Sequence, residues 1–366
     1  MSVYWWVLVF IETLLSLGIM STYLSRRDSK RIEYRRGKDH MPLKKALVIL
    51  PIRGVDYGLS ENLEAIKNQE GTTFDLIAVV DSEDDPSVPY LRAANIGYII
   101  ANASCTGCSG KVRAIYSALV SMEGYDYYVV ADSDIRPGRE WLSNLLAPLS
   151  DQEVGVSTTF PIFMPEGGFW SKMKMFWGLV GQSMMESKLT RFVWGGSMAF
   201  RSEMLDEESL SLFAGSVSDD IAILRIMKSK GLKIAYVEDA RPNIYSNENF
   251  RAFLEWSNRQ TALSIYSSTR TFTFGMIYYG VSIYLIISSI LFSVFVNPIF
   301  AIFLFPYILN SFVSLRRVPV KTWYFLALTL LLPFVYVYNL VSGMSTKEIT
   351  WRGRVYTLTR RSANQH

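Results

Sequence analysis

Residues 271 to 315 contain no Asp, Glu, Lys or Arg. A membrane-spanning helix needs about 20 predominantly apolar residues, so this length predicts two spans rather than one. Asn297-Pro298, near the middle of the stretch, is typical of a turn between them. After a short basic segment, residues 322 to 346 are again free of charge. The sequence therefore predicts C-terminal membrane segments over residues 271–343.

Residues 1–24 predict a further transmembrane segment, an uncleaved N-terminal anchor. The only ionisable side chain within residues 3–24 is Glu12, which we expect to reach the outer interface. A cleaved signal peptide would carry its positive charge before the apolar run, whereas here the Lys and Arg residues follow it. The positive-inside rule therefore predicts that residues 25–42 form a basic cytosolic linker.

The basic tail, residues 344–366, also favours the cytosol because of its Lys and Arg residues. One anchor before the domain and three spans after it would place this tail outside. We therefore expect one segment to be re-entrant or to lie in the interface, and Pro333 makes the last segment the candidate. The sequence as a whole predicts an integral, multi-pass membrane protein whose globular domain is cytosolic.

The composition excludes several classes of site. The two histidines, His40 and His366, argue against a Ser-His hydrolase and against a histidine-based metal site. Cys105 and Cys108 form a lone pair that lacks the four ligands of a structural zinc site, and we expect reduced thiols. The net charge of +4 suits a surface on anionic lipid but is too small to indicate nucleic-acid binding.

Between the apolar segments, short apolar runs alternate with helical patterns. The predicted strands lie at 45–52, 76–81, 98–101, 127–131 and 154–159, and the clearest helices between them at 60–68 and 111–122. This alternation predicts parallel strands with crossover helices, a Rossmann-like α/β sheet. In such sheets, ligands bind beyond the carboxyl ends of the strands. Asp81, Asp132 and Asp134 fall at this edge.

Asp132 and Asp134 are one residue apart at the end of an apolar strand, where two like charges should repel. A divalent cation would make this arrangement favourable, because Mg²⁺ and Mn²⁺ prefer oxygen ligands and often join carboxylates to substrate phosphates. A solvated turn is the alternative, since Asp-Ser-Asp before a following Pro-Gly also suits turn chemistry. On its own, this motif does not decide between the two interpretations.

The motif belongs to an ordered set. "LVILP" leads into "RGVD", and "AVVDSEDDPSV", "SGK", "DSD", "FVWGGSMAFRSEML", "VSDDIAILRIMKSKG" and "FLEWSNRQ" follow in that order. This order resembles the family 2-type, GT-A glycosyltransferases, and more narrowly the ceramide glucosyltransferase branch with its prokaryotic relatives. "TWRGRVYTL" is similar to the C-terminal motif of that branch. The resemblance covers residues 42–260 and 349–358, and it implies a GT-A nucleotide-sugar-binding domain over residues 43–265.

The resemblance implies a nucleotide-sugar donor, with a UDP-sugar as the expected class. Asp81 would hold the nucleotide base, and Asp84 and Asp85 are nearly equal candidates. Lys111 would meet the ribose or phosphate side, and Asp132 would also contact the donor. The alternatives are an acidic loop that is simply soluble and a surface lysine.

The resemblance further implies a divalent cation, Mg²⁺ or Mn²⁺, held on the diphosphate by Asp132 and Asp134. Asp220 matches the catalytic base of the family. Ser218 is typical of an N-cap, so Asp219 and Asp220 lie in the first turn of a helix, where its dipole stabilises a carboxylate. A purely structural first-turn aspartate is the alternative.

Other residues are assigned through the same resemblance, although one motif differs. The chain has W-S-N-R-Q where the family has Q-x-x-R-W. Arg259 would still bind a diphosphate oxygen, because its guanidinium is always charged. Trp256, together with Gly196 and Asp219, would then line the acceptor side. The tail residues implied to close over the site are Trp351, Arg352 and Arg354.

The function implied is a metal-dependent, inverting transfer of a sugar to a hydroxyl group of a membrane lipid. Residues 166–188 support a lipid acceptor, because their aromatic and Met residues alternate with Lys as in an interfacial helix. The alternatives are a polyprenyl-phosphate sugar transferase and a processive polysaccharide synthase. A transporter with a regulatory domain is a further alternative, but the spans lack the paired charges that mark a transport path.

Overall fold

The structure of the chain is a computed structural model, and it describes residues 3–25, 45–351 and 353–357. Residues 26–42 of the predicted basic linker lie outside the described residues. The same holds for Arg352 and for the tail beyond Thr357.

Seven strands of the described chain form one sheet, in the order β3-β2-β1-β4-β8-β6-β9, and smaller sheets are formed by β5-β10-β7 and β11-β12. The strands are β1 Ala46–Pro51, β2 Phe74–Val80, β3 Tyr98–Ile100, β4 Tyr127–Ala131, β5 Ile135–Arg136, β6 Val154–Thr158, β7 Ile162–Pro165, β8 Ser197–Arg201, β9 Lys233–Tyr236, β10 Asn243–Ser246, β11 Glu348–Trp351 and β12 Arg354–Thr357.

The helices of the described residues include those that cover both faces of the main sheet and those that form the apolar segments. They are α1 Val3–Ser25, α2 Leu59–Lys67, α3 Val88–Ala93, α4 Gly110–Ser121, α5 Trp141–Leu146, α6 Phe169–Glu186, α7 Glu207–Ala214, α8 Asp219–Ser229, α9 Phe250–Ser267, α10 Thr269–Phe295, α11 Phe305–Arg317 and α12 Phe325–Ser345.

The predicted α/β fold class is confirmed, and the structure adds strands that were not predicted. All the strands predicted from the sequence are present, and β1 to β4 pair in parallel. β8 was not predicted, and it pairs antiparallel with both β4 and β6 in the middle of the sheet. Its residues are buried throughout, so its sequence "SMAFR" lacks the alternation by which a half-buried strand is found.

β1 shows why the sheet is the centre of the core. Ala46, Val48 and Leu50 pack into the apolar cluster on one face of the sheet, and Leu47 and Ile49 pack into the cluster on the other. All are fully buried. Each of the larger side chains contributes roughly 1.5–3 kcal/mol from burial, which fixes the strand in a single register. The polar residues that follow the strand are therefore held at the edge of the sheet.

The described C-terminal region contains three helical segments long and apolar enough to cross a membrane: Thr269–Phe295, Pro298–Arg317 and Phe325–Ser345. The expected turn at Asn297-Pro298 is present, where the Asn297 side chain accepts a hydrogen bond from the Ile299 N–H (2.9 Å). Pro333 lies inside α12, which continues through it, and the expectation that the last segment is re-entrant or lies in the interface stays a prediction. A proline is tolerated where neighbouring helices enclose it.

Two local expectations are also corrected. Glu12 does not reach an interface: its side chain is fully buried, and α1 packs against α10 and α11. Cys105 and Cys108 are joined by a disulfide, rather than being reduced thiols, in the loop before α4.

Candidate active site

Three charged side chains from distant parts of the sequence meet beyond the end of β4. The Lys111 Nζ lies 2.7 Å from the Asp132 Oδ1 and 3.0 Å from the Asp219 Oδ2. It also donates a hydrogen bond to the carbonyl of Gly195 (3.1 Å). We call Lys111, Asp132 and Asp219 the lysine cluster. The structure thus brings together three of the residues assigned from the sequence.

Local backbone geometry positions the lysine cluster. Ser109 caps α4 by accepting a hydrogen bond from the Val112 N–H (3.1 Å), which fixes Lys111 in the first turn. Gly195 allows the close approach of Asp219, because a Cβ there would lie only 2.5 Å from the Asp219 Oδ2. Gly196 accepts a hydrogen bond from the Asp132 N–H (3.0 Å) through its carbonyl.

The lysine cluster has more negative than positive charge. Burial alone would lower the pKa of Lys111, but the facing charges of Asp132 and Asp219 outweigh burial and raise it. Burial raises the pKa of Asp132, and the charge of Lys111 only partly opposes this shift. One ammonium faces two carboxylates, so the cluster would be stabilised by a further positive charge.

Asp220 lies next to the cluster in the first turn of α8. Its Oδ1 accepts hydrogen bonds from the Ser218 hydroxyl and from the Ile221 N–H (2.7 Å). Ser218 is the N-cap residue, as predicted, but its hydroxyl contacts Asp220 and not the helix backbone. Burial and the charge of Asp219 raise the pKa of Asp220 to about 6, although Ser218 and Lys111 oppose the shift. The carboxylate is therefore basic enough to accept a proton near neutral pH.

The loop that carries Asp134 is held from both sides. The Ser133 hydroxyl donates to the Asp56 Oδ2 (2.5 Å), and the Ser133 carbonyl accepts from the Asn62 Nδ2 (3.1 Å). β5 begins directly after Asp134 and pairs with β10. Within the described residues, Asp132 and Asp134 belong to no group of three or more carboxylate, His or Cys side chains that could hold a metal.

A second group of charges lies at the end of β2. Asp81 makes ion pairs with Arg113 (2.9 Å), Arg354 (3.1 Å) and Arg53 (3.4 Å). We call these four residues the arginine cluster. They adjoin an open cleft of about 490 Å³, which we call the arginine cleft; it is lined by Arg53, Gly54, Asp81, Ser82, Asp84, Asp85, Pro86 and Arg354.

The two further acidic candidates differ in their surroundings. Asp84 is exposed and lines the arginine cleft. Asp85 is buried, and its carboxylate accepts hydrogen bonds from the Gly54 N–H (2.9 Å) and from the N–H and hydroxyl of Ser87 (2.9 and 2.7 Å). Asp85 therefore closes the loop that forms the cleft, and its oxygens are largely occupied by the protein.

The C-terminal hairpin, β11 and β12, packs onto the start of α4. The Tyr356 hydroxyl accepts a hydrogen bond from the Gly110 N–H (3.1 Å). Arg354 lies so close to Gly110 that a Cβ there would be 2.4 Å from its Nη1. Trp351 is the last residue of β11. The hairpin thus lies beside the first turn of α4, and closure of the tail over the site stays a prediction.

Trp256 and Arg259 lie on α9, and the ring contacts of Trp256 lie outside both charged clusters. The ring of Trp256 packs edge-to-face against Trp177 and Phe163, at centroid distances of 4.8 and 5.4 Å. Lys174 lies 4.7 Å from the centre of the same ring. We call these aromatic residues, with Tyr336 stacked on Trp177, the aromatic seam. Arg259 is half-buried one turn further along.

Comparison with known proteins identifies the family. Residues 8–363 match the family model described as glycosyl transferase family 21. The chain belongs to this family. It is therefore a glycosyltransferase, as predicted, whereas the narrower ceramide glucosyltransferase branch is not distinguished by this match.

A solved glycosyltransferase structure shares the fold, and a second shows a weaker similarity. A mannosyltransferase from Pyrobaculum calidifontis, in complex with GDP-Man and Mn²⁺, has a TM-score of 0.52 at 15% identity, covering 92% of this chain and 96% of that chain. Glucosyl-3-phosphoglycerate synthase from Mycobacterium tuberculosis, in complex with Mn²⁺, UDP and phosphoglyceric acid, has a TM-score of 0.43 at 15% identity, covering 61% and 78%. The similarity to the mannosyltransferase, with its TM-score above 0.5, supports the GT-A fold.

Sequence reasoning missed two charged residues of this glycosyltransferase. Arg53 follows β1 at the ligand edge, and Arg113 comes two residues after Lys111. The rule that ligands bind beyond the carboxyl ends of parallel strands could have found Arg53. No sequence signal indicated that Arg113 and Arg354 converge on Asp81.

Proposed function

We propose that this family 21 glycosyltransferase is a membrane-bound, inverting enzyme of the ceramide glucosyltransferase type. It moves a sugar from a nucleotide-sugar donor, with UDP-sugars as the expected class, to a hydroxyl group of a membrane lipid. The observation that carries the proposal is Asp220, a carboxylate of raised pKa placed beside the lysine cluster. A base next to a charged donor site is what an inverting displacement requires.

The residues present fit a divalent cation shared with the donor. Asp132 and Asp134 supply oxygen ligands, and the lysine cluster retains excess negative charge. Because no third carboxylate joins them among the described residues, donor phosphates and water would complete the coordination, as is usual for Mg²⁺ and similar ions. When bound, the cation would stabilise negative charge on the departing nucleoside diphosphate.

The chain's own groups supply the remaining chemistry. With a pKa of about 6, Asp220 is mostly ionised at neutral pH and can take the proton from the acceptor hydroxyl as that oxygen attacks the anomeric carbon. Lys111 holds Asp132 and Asp219 in place. We assign donor contacts to Asp81, Asp84, Lys111 and Arg259, and a positioning role to Asp85.

Packing of the apolar helices onto the domain supports a lipid acceptor. The Asn339 Nδ2, in α12, donates to the Ser257 Oγ (3.1 Å) and to the Asn258 Oδ1 (2.7 Å) of α9. Tyr336 donates to the Trp177 carbonyl (2.5 Å) of α6. Exposed apolar residues continue along α10 and α12. An acceptor anchored in the bilayer would therefore reach a domain fixed at the surface of that bilayer.

The contacts of the hairpin also support a topology. Because the hairpin binds Gly110 and Asp81, the tail and the domain lie on the same side of the membrane, which we assign to the cytosol. An even number of crossings must then separate them. α12 is our candidate for a helix that does not cross, because Tyr324 before its start stacks on Phe169 (5.7 Å) and Asn339 near its end binds α9.

Product analysis tests the function. Membranes containing the enzyme are incubated with labelled nucleotide sugars and Mn²⁺, and lipids, polyprenyl phosphates and polymers are separated. Label in a lipid with a glycosidic bond to a hydroxyl group supports the proposal. Label in a polyprenyl phosphate or in a polymer would instead favour the alternatives, and a loss of label in chelator would support the cation.

Cysteine labelling tests the topology. In a background of Cys105→Ser and Cys108→Ser, we expect an impermeant reagent to label Asn297→Cys on intact cells and Arg361→Cys only after permeabilisation. Labelling of Arg361→Cys from outside would refute the assigned side of the tail.

A further inference from the structure

We propose that Glu12, Ser16 and Tyr307 line a binding site for a monovalent metal cation between the apolar helices α1, α10 and α11. The ligand is an alkali-metal ion, Na⁺ or K⁺, whose contacts join α1 to the other two helices. The site shares no residue with the lysine cluster, and its ion is distinct from the divalent cation proposed for the donor. This inference goes beyond the proposed transfer reaction and does not depend on it.

One face of α1 turns polar side chains inward. Glu12 and Ser16 are one helical turn apart and both are buried, whereas Thr13 is exposed. α1 packs against α10 and α11, and Ile19, on the same face of α1, joins the apolar cluster that contains Tyr307. The sequence of α1 thus places a carboxylate and a hydroxyl group inside a largely apolar contact between helices. An ionisable group in such surroundings is costly and marks a candidate functional site.

The polar groups at this contact have no hydrogen-bond partner in the part of the chain that the structure describes. Both carboxylate oxygens of Glu12 are buried in this way, and so are the hydroxyl groups of Ser16 and Tyr307. Tyr284 approaches Glu12, and Ser282 approaches Tyr307, but neither contact has the geometry of a hydrogen bond. Buried polar groups are normally satisfied by protein, by ordered water or by an ion. A ligand held by all three residues would satisfy them together.

A proton on Glu12 would not satisfy the same groups. Neither Ser16 nor Tyr307 lies in hydrogen-bonding geometry with the carboxyl group. Protonation would therefore remove the charge of Glu12 but leave both hydroxyl groups as they are. A cation between the three residues contacts the carboxylate and the oxygen lone pairs of both hydroxyl groups at once.

The charge of the site selects a monovalent metal ion. Apart from Glu12, residues 6–20 and 271–315 contain no Asp, Glu, Lys or Arg, so no basic side chain in these stretches neutralises the carboxylate. One monovalent cation makes the site neutral, whereas a divalent ion would leave an uncompensated charge among apolar helices, which is costly. The ligands that the three residues supply are all oxygens, which hard metal ions prefer.

Thermal unfolding of the full-length protein in detergent tests the inference. Melting temperatures are compared in NaCl, KCl and choline chloride at equal ionic strength and at a fixed, mildly alkaline pH, with EDTA to remove divalent ions. We expect a higher melting temperature in at least one of the two metal salts than in choline chloride. It should rise by roughly 2 °C for each tenfold increase in the concentration of that ion, because the ion binds the folded state.

Variants locate the effect at the site. Glu12→Gln should abolish the dependence on the metal ion, since a neutral amide of the same shape replaces the carboxylate. Ser16→Ala and Tyr307→Phe each remove one oxygen and should raise the required ion concentration by roughly tenfold, which keeps the test decisive if Glu12→Gln fails to fold. Thr13→Val is the matched control, because the Thr13 hydroxyl donates to the Val9 carbonyl (2.7 Å) on the exposed side of α1. Its response to the ion should equal that of the wild type.

Two results would overturn the inference. A wild type that melts at the same temperature in all three salts would show that Glu12 is held by a proton or by water alone. An intact Glu12→Gln variant with the full response would show that the ion acts elsewhere. A response that is lost in Glu12→Gln, weakened in Ser16→Ala and retained in Thr13→Val would support the site.

Discussion

The charged edge of the sheet and the aromatic seam between α6, α9 and α12 are built in opposite ways. At the charged edge, groups such as Lys111, Asp132 and Asp219 come from separate segments and meet at hydrogen-bonding distances. In the seam, Trp177 and Trp256 touch through apolar ring surfaces at centroid distances near 5 Å. The first arrangement orients charged groups, whereas the second buries apolar surface.

This difference assigns different roles to the two regions. A like-charged pair such as Asp132 and Asp219 costs free energy unless a ligand or counter-charge repays it, so the charged edge is the expected place for chemistry. The aromatic seam is stabilised by its own ring contacts, and the adjoining Lys174 is paired with Glu248 (2.6 Å). Its expected role is to hold the catalytic domain against the apolar helices.

The largest expected effect follows from removing a proposed cation ligand at the charged edge. Asp134→Ala should reduce transfer by at least roughly 10³-fold, because cation stabilisation of the leaving group contributes several kcal/mol. Chelator should have the same effect on the wild type. The exposed Asp239 provides a control, since Asp239→Ala should leave transfer unchanged. Full activity in chelator would refute the cation assignment.

The next effect concerns the proposed base. Asp220→Asn should lower the rate of transfer by about 10²- to 10⁴-fold, the usual contribution of general-base catalysis, while donor affinity is retained. Asp219→Asn should instead weaken folding, because Asp219 is buried against Lys111. Rates, donor affinity and melting temperatures are measured on both. Normal turnover in an intact Asp220→Asn variant would exclude the inverting mechanism proposed here.

The pH dependence of the transfer rate also tests the role of Asp220 as the base. With the pKa of Asp220 near 6, the rate should fall about tenfold per pH unit below that value in the wild type and stay flat in Asp220→Asn. Because the folded pKa lies above the ordinary 3.8, the contribution of Asp220 to stability is present at low pH and is lost as pH rises towards 6. Asp220→Asn should therefore gain stability relative to the wild type above pH 6, as measured by denaturant unfolding in chelator.

In the aromatic seam, a substitution should have a smaller effect that lowers stability and leaves donor binding intact. Trp256→Ala should destabilise the protein by about 3 kcal/mol through the lost ring contacts, with donor affinity unchanged. Trp256→Phe should recover much of this loss. If Trp256 instead contacts the acceptor, Trp256→Ala would raise the KM for the lipid with little change in melting temperature. The two readouts decide between packing and acceptor binding.

The sequence predicted the charged edge better than the seam for physical reasons. Burial of β1 and β4 on both faces requires continuous apolar runs, and the polar residues that end such runs mark the ligand edge, which made Asp132 and Asp134 recognisable in the sequence. The role of Trp256 is harder to predict from the sequence, because an aromatic residue on a helix shows the same pattern whether it packs in a seam or faces a ligand.

Local sequence patterns did not predict which side chains converge across long separations. The ion pair between Asp81 and Arg354, and the contact of Gly195 with Asp219, depend on how loops and the hairpin return to the sheet. The local pattern of apolar and polar residues does not show how distant loops and the hairpin pack back onto the sheet. The buried position of Glu12 likewise depends on the packing of α1 against other apolar helices.

The smallest expected effect concerns the contact between the hairpin and the first residue of α4. In Gly110→Ala, the added Cβ would lie 2.4 Å from the Arg354 Nη1, the flexible end of a side chain, so Arg354 should move while the fold persists. Alanine is the better helix former by about 1 kcal/mol, which should offset the lost contact in stability. We therefore expect an unchanged or slightly higher melting temperature together with UDP binding that is weaker by about threefold, less than for complete loss of a charge-assisted hydrogen bond. Gly138→Ala is the control, because nothing lies within 4 Å of a Cβ at that position. Equal UDP affinity in Gly110→Ala and Gly138→Ala would show that the placement of Arg354 over α4 does not matter to the donor site.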